Sequence, residues 1–195
     1  MADRRVTDDS SRQFEEALVS VRAARHRPQI VLEEVPAPGR LAPHSLALAA
    51  DVVADPQDDA ELASGRFVVL FDPAAPEPWG GCWRVVTYAR AAMEPEVAAD
   101  PALGGAGWSW LQDGLERAGV GVTALAGTVT RIVSEKFGEL AQDEAAVEME
   151  IRASWTALEG DLGAHLSAWC EVLCTLGGLP PLPDGVAVLA SRRQG

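Results

Sequence analysis

Between Ala145 and Trp155 the chain alternates. Ala145, Val147, Met149, Ile151, Ala153 and Trp155 are apolar, and Ala146, Glu148, Glu150, Arg152 and Ser154 stand between them. Successive side chains of a strand point to opposite faces, so this spacing predicts a strand with one apolar and one charged face. A strand of that kind belongs to an antiparallel sheet covered on one side, not to a parallel sheet buried on both. Slipping its pairing by one residue would turn the whole apolar set into water, so the register is strongly held. The apolar face needs a cover. Gly107 to Gly119 supplies a helix with Trp108, Leu111, Leu115 and Ala118 at spacings of three and four, and Gly119 as its stop.

The rest of the chain is read around that pair. Residues 1–9 are polar and read as a frayed terminus. A helix capped at Ser10 or Ser11 carries Phe14, Ala17, Leu18 and Val21 on one face; Arg22, Arg25, His26 and Arg27 close it and Pro28 stops it. Ile30 to Val35, Leu46 to Val53, Phe67 to Phe71 and Cys82 to Ala91 are expected strands. Asp55-Pro56, Asp72-Pro73 and Asp100-Pro101 each open a turn. Gly127 to Val133 is a fifth strand before the alternating one. Asp161 then starts a helix with Leu162, Leu166, Trp169, Leu173 and Leu176 on one stripe, ended by Gly177-Gly178, and Val186 to Leu189 is a candidate last strand.

The element order α-β-β-β-β-α-β-β-α predicts an α+β fold of two layers, a mainly antiparallel sheet of about six strands with helices on one face. Residues 10–190 form one such domain, followed by a tail at 191–195. Strand, loop, strand, loop, helix occurs twice, over 65–119 and 127–178. A shift of 62 residues sets Trp83 on Ala145, Val85 on Val147 and Thr87 on Met149 with the same parity.

Several activities are disfavoured. The net charge of -13 opposes general nucleic-acid binding, which needs a basic field, and adsorption to anionic membranes. Neither a signal pattern nor a run of eighteen apolar residues is present, and the three cysteines lack scaffold spacing, so a cytoplasmic location is expected. Gly119-Val-Gly121-Val-Thr-Ala124 follows a helix and precedes a strand, the reverse of a dinucleotide cradle. Gly107-Trp-Ser109-Trp-Leu111 lacks the second glycine of a nucleophile elbow. Cys170 and Cys174, four apart on the last helix, read as buried thiols, since a metal would want two more ligands. The acidic stretch Asp55 to Glu61 lacks the alternation and central glycine of a calcium loop. No catalytic motif is found, and no cofactor or metal is expected.

Six tryptophans are the compositional excess. Trp155 and Trp169 fall on core stripes. Trp79, in a glycine-rich loop, and Trp110, off the stripe of its helix, are left over, and aromatic anchors are enriched at interfaces. With Glu148 and Glu150 on the outward face of the long strand they make up the candidate partner surface. A non-enzymatic protein-binding or adaptor domain follows, with a protein partner or a second copy as its target. The competing class is a small-molecule-binding protein or enzyme whose site converges only in three dimensions; carboxylates with perturbed pKa values in a pocket would mark that class.

Gly107-Trp-Ser-Trp-Leu111, Gly127-Thr-Val-Thr-Arg131, Glu150-Ile-Arg-Ala-Ser-Trp155 and Asp161-Leu-Gly-Ala-His165, with Leu32-Glu-Glu-Val-Pro-Ala-Pro38 and Leu179-Pro-Pro-Leu-Pro183, resemble an actinobacterial domain of unknown function (number 3000) from about Phe14 onward. The resemblance implies a cytoplasmic single-domain protein and carries over no catalytic residues. By element order alone the chain is also similar to small acidic type III secretion chaperones with one strand added. That analogy implies a dimer binding segments of a partner, and it is an analogy of fold only.

Overall fold

The computed structural model describes residues 2–55, 60–98, 100–140 and 146–180. Helix α1 (Ala2–Arg22) leads into strands β1 (Ile30–Val35), β2 (His44–Val53), β3 (Glu61–Phe71) and β4 (Trp83–Met93). A four-residue α2 (Pro95–Ala98), α3 (Leu103–Arg117), β5 (Val122–Ser134), β6 (Ala146–Ala157) and α4 (Leu162–Leu176) follow. The six strands form one antiparallel sheet in the order β1-β2-β3-β4-β6-β5. This is the expected α+β fold, with the expected order of long helices and strands.

The alternating strand keeps its register. Val147, Met149, Ile151, Ala153 and Trp155 are buried, the last four in the main core, which also takes Leu111 and Leu115 of α3 and the stripe of α4. Helix α4 begins as read: the Asp161 carboxylate accepts from the Ala164 backbone N–H, which satisfies one free donor of the first turn. It ends at Gly177, with Gly178 at a φ of 79°.

Several boundaries differ from the sequence expectation. Ser10 is no cap: α1 is already helical at Ala2, and Ser10 is buried with its Oγ 3.2 Å from His44 Nε2. Arg27 does not sit on a helix dipole either, because α1 stops at Arg22 and the Arg27 side chain turns inward to α4. Helix α3 starts at Leu103, four residues early. Gly104 and Gly105 weaken the helical signal, but the Asp100 carboxylate accepts from Ala102 N–H and Leu103 is buried. Strand β3 starts at Glu61 rather than Phe67, since its polar half is held by pairing with β2 and β4 on both sides. The candidate strand Val186 to Leu189, and Asp58 and Asp59 of the acidic stretch, lie outside the described residues.

The repeated strand-strand-helix units meet at the β4–β6 pair, which makes the central order β3-β4-β6-β5. Each unit seats an indole of the other. A Cβ on Gly65 of β3 would come within 2.7 Å of the Trp169 ring of α4, and one on Gly127 of β5 within 2.7 Å of the Trp108 ring of α3. Only glycine lets the rings lie this close to the sheet backbone.

His165 illustrates how the polar atoms of this core are handled. Its ring is 1 % exposed, and the Trp155 Nε1–H donates to its Nδ1 at 3.1 Å, which puts the proton of the neutral ring on Nε2. Burial lowers its pKa to about 4, with Asp161 opposing the shift. The unfolded chain takes up a proton below about 6.5 that the folded chain refuses until about 4. Stability is therefore complete above pH 6.5 and falls as the pH drops toward 4, by roughly 3 kcal/mol from this ring. Denaturant melts at pH 7 and pH 4.5 should show a smaller difference for His165→Phe than for the native chain; equal differences would remove His165 as the cause.

Candidate functional site

The pairing of the strands decides which side chains share the face away from the helices. Arg66 of β3 lies opposite Tyr88 of β4, and Tyr88 opposite Arg152 of β6, so the three form one row across the sheet. One step along the strands, Val68, Val86 and Ser154 form the next row; on the other side Ser64, Arg90 and Glu150 form another. Helices cover the opposite face. Here a groove of about 550 Å³ lies open, lined by Ala49, Ser64, Gly65, Arg66, Val68, Val86, Thr87, Tyr88 and Arg152.

At one end the face is closed by loops. Trp79, Val35, Ala37 and Ala42 pack on Ala47, Val68 and Leu70 in a second, smaller apolar cluster. The Thr156 hydroxyl donates to the Trp79 carbonyl and accepts from Arg84 Nη1 at 3.1 Å. Arg84 also donates to Ser154 Oγ at 2.6 Å and to the Ala124 carbonyl at 3.1 Å. The last bond pins a bulge of β5, where Ala124 has a φ of 49° and the register shifts between Thr123 and Ala126.

At the centre, Tyr88 Oη donates to Glu150 Oε1 at 2.8 Å, and Arg152 Nη2 donates to Glu150 Oε2 at 2.9 Å. The guanidinium carbon of Arg152 stands 5.0 Å from the centre of the Tyr88 ring. Arg152 and then Tyr88 hold the Glu150 carboxyl below its ordinary range, while burial and Glu150 raise the Tyr88 phenol. Both shifts keep the groups in their ordinary forms at neutral pH, the phenol protonated and the carboxyl ionised. A phenolate base or a protonated acid would need the opposite shifts. The described lining of the groove includes no carboxylate.

Of the four residues singled out from sequence, three lie on this side of the sheet. Glu150 belongs to the central cluster. Glu148 is at the margin, 4.0 Å from Arg90, with 40 % of its side chain exposed. Trp79 walls the closed end, half-buried. Trp110 is not with them: it is half-buried against the main core from α3, on the helix side. Sequence reading missed Arg66, Val86, Tyr88 and Arg152 as a group. Parity could have placed Arg84, Val86, Tyr88 and Arg90 on one face of β4. Apolar Val86 and the alanines at 89, 91 and 92 blur that alternation, and the row across β3, β4 and β6 depends on a register no single strand states.

Other constellations do not assemble. Ser10 and His44 touch, but Ser10 lies within α1, its backbone in a helical ladder and its side chain 7 % exposed with the rest of the residue. An exposed nucleophile beside free oxyanion donors is absent from that geometry. Cys170 and Cys174 are buried free thiols; burial raises the first strongly and pushes the second up to about 12, so neither forms a reactive thiolate near neutrality. Among the described residues no cluster of three His, Cys, Asp or Glu side chains could hold a metal ion. No helix among them is long and apolar enough to cross a membrane.

Comparison with curated proteins and with solved structures finds no match. The model of one family, described as a protein of unknown function (DUF3000), matches residues 10–187. That match covers most of the chain, including every motif from Gly107 to His165 on which the resemblance was read, and the chain belongs to the DUF3000 family.

Proposed function

We propose that this protein is a cytoplasmic, non-enzymatic protein-binding module that engages its partner through the uncovered face of its sheet. One observation carries the reading. Three helices bury one face, while the centre of the other presents Tyr88, Val86, Arg66 and Arg152 side by side in an open groove. Aromatic residues and arginine are enriched where protein interfaces are buried, and Lys and Glu are depleted. A small-molecule site would be a deeper, largely enclosed pocket with convergent polar groups. The described groove is open, and Ala49, Val68 and Val86 line it beside Tyr88 and the two arginines.

The test is capture from the native cells with the tagged chain, compared with Val86→Glu. Val86 is 38 % exposed, so the substitution changes the face and not the core. A defined set of proteins should be recovered with the native chain and lost with the variant at an unchanged Tm. Equal recovery by both chains would place the binding surface elsewhere, and Trp110 would be the next residue to change.

A further inference from the structure

We infer that the segment docking on this face is acidic, a stretch of a partner protein whose carboxylates are held by Arg66 and Arg152 on either side of Tyr88. This rests on the protein-binding reading above and names the chemistry of the partner. The backbones of Arg66 and Arg152 lie two strands apart in one row, roughly 10 Å by the spacing of strands. Arg66 is exposed, and its side chain makes no ion pair or hydrogen bond among the described residues. Arg152 gives Nε and Nη2 to Glu150, and its Nη1 makes no bond there. A guanidinium presents donors in a planar fork that matches a carboxylate on two bonds at once.

The groove lining itself agrees in sign, with Asp51 of β2 outside it, opposite Ser64 and diagonal to Arg66, and Glu33 of β1 beyond Ala49 in the Arg66 row. The described lining of the groove has two arginines and no carboxylate, and Val68 and Val86 in the adjoining row suit the aliphatic stems of acidic side chains. Glu150 accepts from Tyr88 and from two nitrogens of Arg152, so its charge is already matched by Arg152 and not by Arg66. The whole chain carries -13 charges, which weighs against a second copy and against a long polyanion such as nucleic acid, both of which would feel the entire field. A short acidic segment interacts mainly within a Debye length, about 8 Å at physiological salt, so it meets the forks of Arg66 and Arg152 with the nearby Glu150 and Asp51 rather than the whole field.

A photo-crosslinking amino acid in place of Val86, in the full chain and in the native cells, tests this. Crosslinked peptides should come from another protein and be rich in Asp and Glu, and Arg66→Gln should lower their yield roughly tenfold, the loss typical of an interface anchor. In the same series a fluorescein-labelled decapeptide alternating glutamate and valine should bind the purified chain, and its glutamine counterpart should not. Crosslinks to neutral or basic segments, to nucleic acid or to a second copy would overturn the acidic segment. So would yields unmoved by Arg66→Gln. Any of these leaves the open face standing as a docking surface. No crosslink above that of a control position on the outer side of α3 would overturn both.

Discussion

Trp155→Ala and Trp169→Ala are each expected to destabilise the protein by about 3–5 kcal/mol, through lost burial and the cavity left behind. The two indoles are 0 % and 1 % exposed and stand where β6 and α4 meet the middle of the sheet. Phenylalanine at these positions should separate them. Trp155 Nε1–H donates to His165 Nδ1, so Trp155→Phe strands a buried acceptor. Trp169 Nε1–H is the one buried side-chain polar atom without a hydrogen-bond partner among the described residues, so Trp169→Phe strands nothing. The first should cost more than the second by about 1–3 kcal/mol. Glu148→Gln, on the open face with only a 4.0 Å contact to Arg90, should stay within about 0.5 kcal/mol. Urea melts that rank Glu148→Gln above either Trp→Ala would contradict the register of β6.

Arg27→Met is expected to cost about 3 kcal/mol, the lower end for breaking a buried ion pair, because the Glu171 side chain is 29 % exposed. Arg27 is 5 % exposed. Its Nε lies 3.0 and 2.9 Å from the two Glu171 oxygens, and its Nη1 donates to the Pro180 carbonyl at 2.7 Å. Hydrogen bonding to Glu171 raises the guanidinium pKa further, so the charge is retained at every accessible pH. Methionine would keep the packing of the stem but leave the carboxylate and the carbonyl without donors. Adding Glu171→Leu should recover most of the loss, since a pair replaced by apolar groups is close to neutral while a half-pair is not. A single Arg27→Met within 1 kcal/mol of the native chain would show that this clamp between the α1–β1 loop and α4 contributes little.

The mechanism of each misreading is local. Arg27 stands in a basic run after a helix, where a dipole contact is the economical reading, and its partner Glu171 is 144 positions away. Ser10 precedes an amphipathic stripe as a cap would, yet it faces inward because His44 of β2 offers its hydroxyl a partner. The N-terminal turns of α3 contain glycines that deny it a sequence signal, and the Asp100 turn and the burial of Leu103 start it regardless. For Arg27 and Ser10 a contact distant in sequence, and for α3 its opening turn with the burial of Leu103, outweighed a local preference worth about 1 kcal/mol or less.

Periodicity along one element was enough to determine the antiparallel one-sided sheet, the buried face of β6, the start and stop of α4, and the order of the long elements. These depend on side-chain alternation, capping and turn chemistry, all of which act within a few residues. The open face was decided elsewhere. Whether Arg66, Tyr88 and Arg152 stand in one row depends on two strand registers at once, and those registers are set by what the other face buries: Gly65 under the Trp169 ring, Val85 beside Trp155. The burial of apolar side chains against the helices thus aligns the polar ones on the far side, and the arrangement of a surface follows from the packing of a core that never touches it.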